Sequence, residues 1–249
     1  MTKILNVVFP QIRKNNLYDV EEGVIFTPNV DHLVKLQCDR EFYDAYKHAD
    51  LVICDSRILF FSSKLLKQPI VETISGSSLF HDYCRYFRSD SSKKIFILGG
   101  KEGVALKAQE RINSSLNSSI IIGAHSPSFH IDDEESSDIA EIINSSGANI
   151  VVVALGAPQQ EKWIVRYKHL MPNVKLWMAL GATVDFEAGT LKRAPVLWQK
   201  VGMEWFYRFL QEPRRLFKRY FIDDMKFFWY FGKQLLGVYR NPFEWIQLL

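Results

Sequence analysis

Cysteine is scarce in this sequence, with only Cys38, Cys54 and Cys84 among 249 residues. The odd number, with no CxxC spacing and no matching histidine pair, excludes a disulfide framework and a structural zinc site and points to a reducing compartment. Histidine is sparse too. His32, His48, His81, His125, His130 and His169 form no HxH or HxxxH pair, so none is read as a metal ligand. No Asp-x-Asp motif follows any apolar run, and neither a metal nor a cofactor is expected. No window reaches the ~18 uninterrupted apolar residues of a membrane span. The opening MTKILNVVFPQIRKNN has a short apolar run and no small-residue cleavage site, so it is not expected to act as a secretory leader. Internal repeats and low-complexity segments are also missing.

What is present is an ordinary globular composition, 47% hydrophobic and 24% charged, long enough to bury a sizeable core. The net charge of +3 is unevenly spread. Residues 1–197 carry 22 Lys and Arg against 23 Asp and Glu, a net −1, whereas residues 198–249 carry 9 against 5, a net +4. The same tail holds 16 of the 34 aromatic residues. This double shift places a boundary near residue 197, with a body over 1–197 and an appendage over 198–249.

Within the body, short apolar runs rich in Val and Ile (ILNVVF, GVIFT, LVIC, KIFIL, SIIIG, NIVVVAL, VKLWMAL) read as strands. Helical patterns lie between the later runs, at 77–87, 101–116, 134–143 and 159–170. Strands apolar on both faces, alternating with helices, signal a parallel sheet covered on both sides. The expected fold class is α/β, a Rossmann-like, mostly parallel sheet flanked by helices, with a C-terminal helical appendage rich in basic and aromatic residues.

In such sheets ligands sit beyond the carboxyl ends of the strands. The residues following the runs are Thr27-Pro28-Asn29, Asp55-Ser56-Arg57, the GGKEG loop at 99–103, GAPQQE at 156–161 and GATVD at 181–185. Gly99, Gly100 and Gly103 sit where a strand turns into a helix, and either phosphate binding or tight packing accounts for them. The spacing is GGxxG, and the next strand ends in Gly123-Ala124-His125 without an acidic residue, which disfavours a dinucleotide. Gly76, in Ser75-Gly76-Ser77-Ser78, opens another helix, as an ordinary cap or as a ligand contact. Asp55 is either a loop cap or a partly desolvated general base. Thr27 and Asn29 are turn residues or donors to a hydroxylated ligand, and Gln160 carries an amide suited to a sugar hydroxyl or acetamido group.

With Thr27-Pro28-Asn29, Asp55, GGKEG, GAPQQEKW (156–163), GTLKRAP (189–195) and MEWFYRFLQEPRRLFKRY (203–220) in this order, the chain resembles the WecG/TagA/CpsF family of bacterial glycosyltransferases, glycosyltransferase family 26. The match runs from about Thr27 to Tyr220. The resemblance implies an inverting, metal-independent transferase. It would move a sugar, such as N-acetylmannosamine, its uronic acid, glucose or glucuronic acid, from a UDP-sugar to a polyprenyl-diphosphate-linked glycan in surface polysaccharide or teichoic acid synthesis. By that analogy Asp55 is the base, Thr27 and Gln160 line the sugar site, and the appendage holds the enzyme peripherally on the inner face of the cell membrane and completes the site. Two departures stand out. The family usually has Asp-Gly where this chain has Asp55-Ser56, and an Arg before the Ser-Gly turn where it has Thr73. Arg57, Lys101 or a tail arginine such as Arg208 is then needed for the diphosphate.

On one continuous helical wheel, Arg215, Arg219, Lys226 and Lys233 share a face opposite Leu216, Phe217, Tyr220, Phe221, Phe227, Phe228, Phe231 and Leu235. Asp224 falls on the apolar side, where it needs a partner or a break in the helix. The face suits an anionic membrane or a solvated surface; nucleic acid finds no support in the body. A noncatalytic UDP-sugar-binding assembly protein and a nicotinamide-dependent oxidoreductase are the alternative functions, and the oligomeric state stays open.

Overall fold

The computed structural model describes residues 1–128, 130–195, 198 and 203–244. Its frame is a six-stranded parallel sheet of β3 (Gly23–Phe26), β4 (Leu51–Val52), β5 (Ile95–Gly99), β6 (Ile121–His125), β7 (Ile150–Ala154) and β8 (Leu176–Ala179), in the order β4-β3-β8-β7-β5-β6. Parallel pairing needs a crossover between neighbours, and helices α1 (Val30–Lys35), α2 (Arg40–Tyr46), α3 (Arg57–Leu65), α4 (Gly76–Tyr86), α5 (Val104–Leu116), α6 (Asp133–Ser146) and α7 (Gln159–Tyr167) lie in those connections, while α8 (Thr183–Ala188) follows β8. This is the expected Rossmann-like α/β arrangement. Side chains at Asn29, Asp39, Ser56, Ser75 and Asp132 accept a backbone bond at the starts of α1, α2, α3, α4 and α6.

The two-residue alternation of a strand sorts the core into two layers. Ile25, Ile97, Val152 and Met178 face a cluster with Leu79, Phe80 and Tyr83 of α4 and Ala105, Ala108 and Ile112 of α5. Phe26, Leu98, Val151, Val153, Trp177 and Ala179 face the other side, with Ile139 and Ile143 of α6 and Trp163 and Ile164 of α7. Both strand faces are buried, which is why the strands are apolar throughout.

Two expectations are corrected here. The ILNVVF run does not enter the main sheet. It folds into an antiparallel hairpin, β1 (Thr2–Ile4) and β2 (Val7–Phe9), which turns at Leu5 with φ of 53°. The tail, for its part, is not one helix. It is α9 (Glu204–Gln211), α10 (Pro213–Lys218), a π turn at Arg219–Asp223 and α11 (Lys226–Leu235). Asp224 follows that turn, with Arg219 Nε 4.0 Å from its carboxylate, so the structure supplies both the break and the partner. The shared wheel is lost: Arg215 lies in α10, Arg219 opens the π turn, and Lys226 and Lys233 belong to α11. The boundary expected at residue 197 lies outside the described residues.

Phe227 and Phe231 of α11 are buried in a third cluster with Ile4, Leu5, Val7 and Phe9 of the hairpin, Leu33 of α1, Phe42 of α2 and Leu59 of α3. Gln234 stitches the same junction, accepting from Leu5 N (2.8 Å) and donating to Lys3 O (2.9 Å). Among the described residues, no helix is long and apolar enough to cross a membrane.

Candidate active site

The strands β3, β4, β5, β7 and β8 end at a cleft of about 1990 Å³, closed by the 181–193 loop region, α9, α10 and the π turn. That exceeds the roughly 300–1,000 Å³ of a pocket for one small ligand and leaves room for two reactants. Thr27, Asn29, Asp55, Gly100, Lys101, Gln160, Arg208, Arg215 and Arg219 all line it, so residues far apart in sequence meet in one place.

Asp55 follows β4, and its backbone N–H donates to Pro28 O (3.1 Å), tying it to the loop after β3. Its Oδ2 accepts from Gly76 N (3.2 Å), the first residue of α4. Withdrawal from bulk water raises the carboxyl from the ordinary 3.8 to about 7; the Gly76 amide, Arg208 and Arg193 oppose that rise and Glu204 adds to it. A carboxylate with this affinity for a proton accepts one from a hydroxyl far better than an exposed aspartate does. Ser56 is extended (φ −158°) and caps α3, so the backbone here does not require glycine.

Gly76 therefore serves Asp55, and a Cβ there would lie 3.2 Å from Thr183 Oγ1. Two of the glycines of GGKEG likewise have backbone roles. A Cβ on Gly99 would stand 2.4 Å from Ala154 O, so this glycine permits close approach to β7. Gly103 is the left-handed N-cap of α5 (φ 74°). Neither is among the residues lining the cleft, whereas Gly100 is. Gly100 N donates to Ala154 O (3.2 Å), Val104 N to Lys101 O (2.9 Å) and Ala105 N to Ser126 Oγ (3.2 Å), while Gly100, Lys101 and Glu102 line the cleft.

Thr27 Oγ1 donates to Ala179 O (2.8 Å), which pins the end of β3 to β8 while keeping the hydroxyl's lone pairs at the cleft wall. Asn29 accepts from His32 N (3.4 Å) as the cap of α1 and takes a contact from Arg219 Nη2 (3.5 Å). Gln160 is buried with both ends of its amide used: Oε1 accepts from Gly181 N (3.1 Å) and Nε2 donates to Glu161 Oε1 (2.7 Å). It shapes the β8 loop.

Cations in the cleft come from the GTLKRAP run as well as from the tail. Arg193, in the GTLKRAP run, donates from Nη2 to Ser75 Oγ (3.4 Å), so a guanidinium stands beside the Ser75-Gly76 turn although residue 73 is Thr. Arg208 of α9 lies over the Phe186 ring, 5.6 Å from its centroid. The Nε atoms of Arg193, Arg208 and Arg219 are buried without a hydrogen-bond partner, an arrangement that normally calls for a ligand or water. Arg219 also faces Asp31 (3.4 Å), whose Oδ2 accepts from Lys35 Nζ (2.8 Å), and the same Nζ donates to Ala157 O (2.9 Å). Lys226, which pairs with Asp223 (3.4 Å), and Lys233, whose Nζ lies 3.5 Å from the Trp229 ring centroid, are not among the lining residues.

A second titrating group was hidden in the GAPQQEKW motif. Glu161 has no exposure, its Oε2 lacks a partner, and burial lifts it to about 7. His32 lies 4.0 Å away, held neutral because burial lowers it to about 3, and its Nδ1 meets Tyr46 Oη at 2.8 Å.

Residues 3–241 match the model of the glycosyl transferase WecG/TagA/CpsF family. Nearly the whole chain is covered, from the hairpin through α11. The chain belongs to the WecG/TagA/CpsF family and is a glycosyltransferase.

Proposed function

We propose that the enzyme transfers a sugar from a UDP-sugar to a hydroxyl of a polyprenyl-diphosphate-linked glycan, with inversion and without a metal ion, at the inner face of the cell membrane. The observation carrying this reading is Asp55: one carboxylate, raised to about 7, at the end of β4, tied to the loop after β3 and to the start of α4, and within the electrostatic reach of Arg193 and Arg208. In a single displacement one base is enough. Asp55 takes the proton of the acceptor hydroxyl as its oxygen attacks the anomeric carbon. The bond from that carbon to the diphosphate oxygen breaks on the opposite face, and its electron pair leaves with UDP.

The negative charge that develops on the leaving diphosphate is the natural partner of Arg193 and Arg208, whose Nε donors are buried and unbonded. Lys101 adds a third cation to the lining. Guanidiniums fixed in place can supply the charge that a divalent ion supplies elsewhere, which supports the metal-free reading. Thr27 and the Gln160-supported Gly181 turn border the region where the sugar would lie. The noncatalytic alternative raised by Ser56 and Thr73 finds no support at either residue, since Ser56 fits its backbone and Arg193 stands at the Ser75 turn.

A transfer assay pairs a panel of UDP-sugars with a short-chain polyprenyl-diphosphate glycan acceptor in EDTA, with calorimetry of UDP under the same conditions. UDP binding and turnover in EDTA are expected. Activity that appears only after Mg²⁺ or Mn²⁺ is added would overturn the metal-free mechanism.

A further inference from the structure

Helix α3 turns Leu59 into the core, yet its outward face is not simply polar. It buries Ser62 (6% exposed) and Ser63 (0%), and it exposes Phe61 (56%) and Leu65 (66%). Arg57 and Lys64 are exposed as well, and positions 57, 61, 64 and 65 follow the i, i+4, i+7, i+8 spacing of a single helix face. A helix that only covered its own core would turn the serines out and the Phe and Leu in. Burial of the serines has a structural reason, because Ser63 Oγ donates to Phe60 O (2.6 Å) and accepts from Ile70 N (2.9 Å), fixing the chain's return after the helix. Nothing comparable occupies Phe61 and Leu65.

The charge on this face is of one sign. Residues 57–68, RILFFSSKLLKQ, contain Arg57, Lys64 and Lys67 and no Asp or Glu. Lys64 Nζ lies over the rings of Phe60 (4.5 Å) and Phe61 (5.6 Å), with its aliphatic stem along apolar surface. The same device recurs in α11, where Lys233 Nζ sits over the exposed Trp229 ring beside exposed Phe228 and Leu236. Both segments border one cleft, Arg57 and Ile58 from the start of α3 and Met225 and Phe228 at α11. Both helices also rest on the hydrophobic cluster built around the N-terminal hairpin.

We propose that α3 is a second membrane-binding element whose occupant is the interface of an anionic lipid bilayer. Phe61 and Leu65 enter the acyl boundary, and Arg57, Lys64 and Lys67 lie among the headgroups. Cations stacked on outward aromatics, with no carboxylate among them, suit a surface that is apolar within and anionic at its rim. This inference rests on the reading of the enzyme as a peripheral membrane transferase and adds the surface that orients it. One docked helix leaves the protein free to swivel. Two elements bordering the same cleft fix its mouth toward the lipid that carries the acceptor, and their partitioning reinforces each other.

The test is co-sedimentation of the full chain with phosphatidylglycerol/phosphatidylcholine vesicles, against pure phosphatidylcholine. Three proteins are compared: wild type, Phe61→Gln/Leu65→Gln in α3, and Trp229→Gln/Leu236→Gln in the tail, each matched for thermal melting. Wild type should bind the anionic vesicles, and the α3 pair should weaken that binding about tenfold. If the tail pair loses binding while the α3 pair binds as wild type does, α3 is excluded and the tail docking stands. If wild type itself ignores anionic vesicles, both fail. A second probe needs no loss of apolar surface elsewhere: an environment-sensitive fluorophore on Leu65→Cys, in a Cys38→Ser background because Cys54 and Cys84 are buried. Its emission should shift blue with phosphatidylglycerol vesicles. A shift that follows protein concentration without lipid, with a doubled mass in sedimentation, would make this face a self-contact and overturn the proposal.

Discussion

The two walls of the cleft are made on different terms. Along the strand-end wall, Thr27 is bonded to β8, Gln160 to Gly181 and Glu161, and Asp55 to both Pro28 and Gly76. Each of these side chains ties one loop to another. On the wall formed by α9, α10 and the π turn, Arg208 and Arg219 leave Nε donors unbonded, and Phe217, Phe221, Trp229 and Leu236 in and after it face outward. The first wall is preorganised: its groups stand in reacting positions before any substrate arrives. The second has donors and apolar surface in excess of what the protein uses. On the proposed function, the contrast divides the enzyme into a part that would do the chemistry and a part that would complete itself on a ligand and a surface.

The strongest way to break that division is Asp55→Asn. It keeps an acceptor for the Gly76 amide but removes the base, and turnover should fall ~10² to 10⁴-fold with UDP affinity nearly unchanged. In wild type, transfer should rise with pH and level off above about 7, where the carboxyl has lost its proton. Near wild-type turnover in the variant would remove the base from the strand-end wall.

A second comparison lies within the tail itself. Phe227 is fully buried and Trp229 is exposed, two residues apart on α11. Phe227→Ala should cost about 3–5 kcal/mol in urea unfolding, and Trp229→Ala no more than about 0.5 kcal/mol. Equal effects would mean that α11 does not have one face in the core and another outside.

Glu161 sharpens the contrast from the side of pH. Its folded form holds the proton more tightly than the unfolded chain does, since burial moves it from 4.5 to about 7. Its contribution to stability is therefore complete below about 4.5 and is lost as pH rises through about 7. Glu161→Gln removes that loss, so the variant should gain on wild type between pH 5 and pH 8, by on the order of 3 kcal/mol. The other raised carboxyls, Asp55 and Asp224, are common to both proteins and cancel in the difference. A difference that stays constant with pH would show that Glu161 is not held protonated.

The sheet was readable in the sequence because strands covered on both faces leave uninterrupted Val and Ile runs, and the strand ends pointed to Thr27, Asp55 and Gln160 before any coordinates. ILNVVF misled because its reversal at Leu5 and Asn6 has no glycine or proline to mark it; the left-handed φ falls on a leucine. The π turn at Arg219–Asp223 was signalled only by Asp224 on the wrong side of the wheel. Arg193 was unreadable for a different reason: it sits in a loop without periodicity, and its importance comes from Asp55 and Ser75, more than a hundred residues earlier. Glu161 looked like one letter of a motif, and only the packing of α7 against His32, with Gln160 donating to its carboxyl, shows it to be a buried acid.

The stitch between Gln234 and the backbone of Lys3 and Leu5 bears on how the molecule is made. A ribosome delivers the hairpin first and α11 last, and domains emerging from synthesis fold as units from the N-terminal side. The sheet can form early, yet the cluster around the hairpin is incomplete until Phe227 and Phe231 arrive. The nascent chain would thus carry Asp55 for most of its translation while lacking Arg208 of α9 and the cover of α11. On the proposed mechanism, sugar transfer waits until the end of the chain is laid on its beginning.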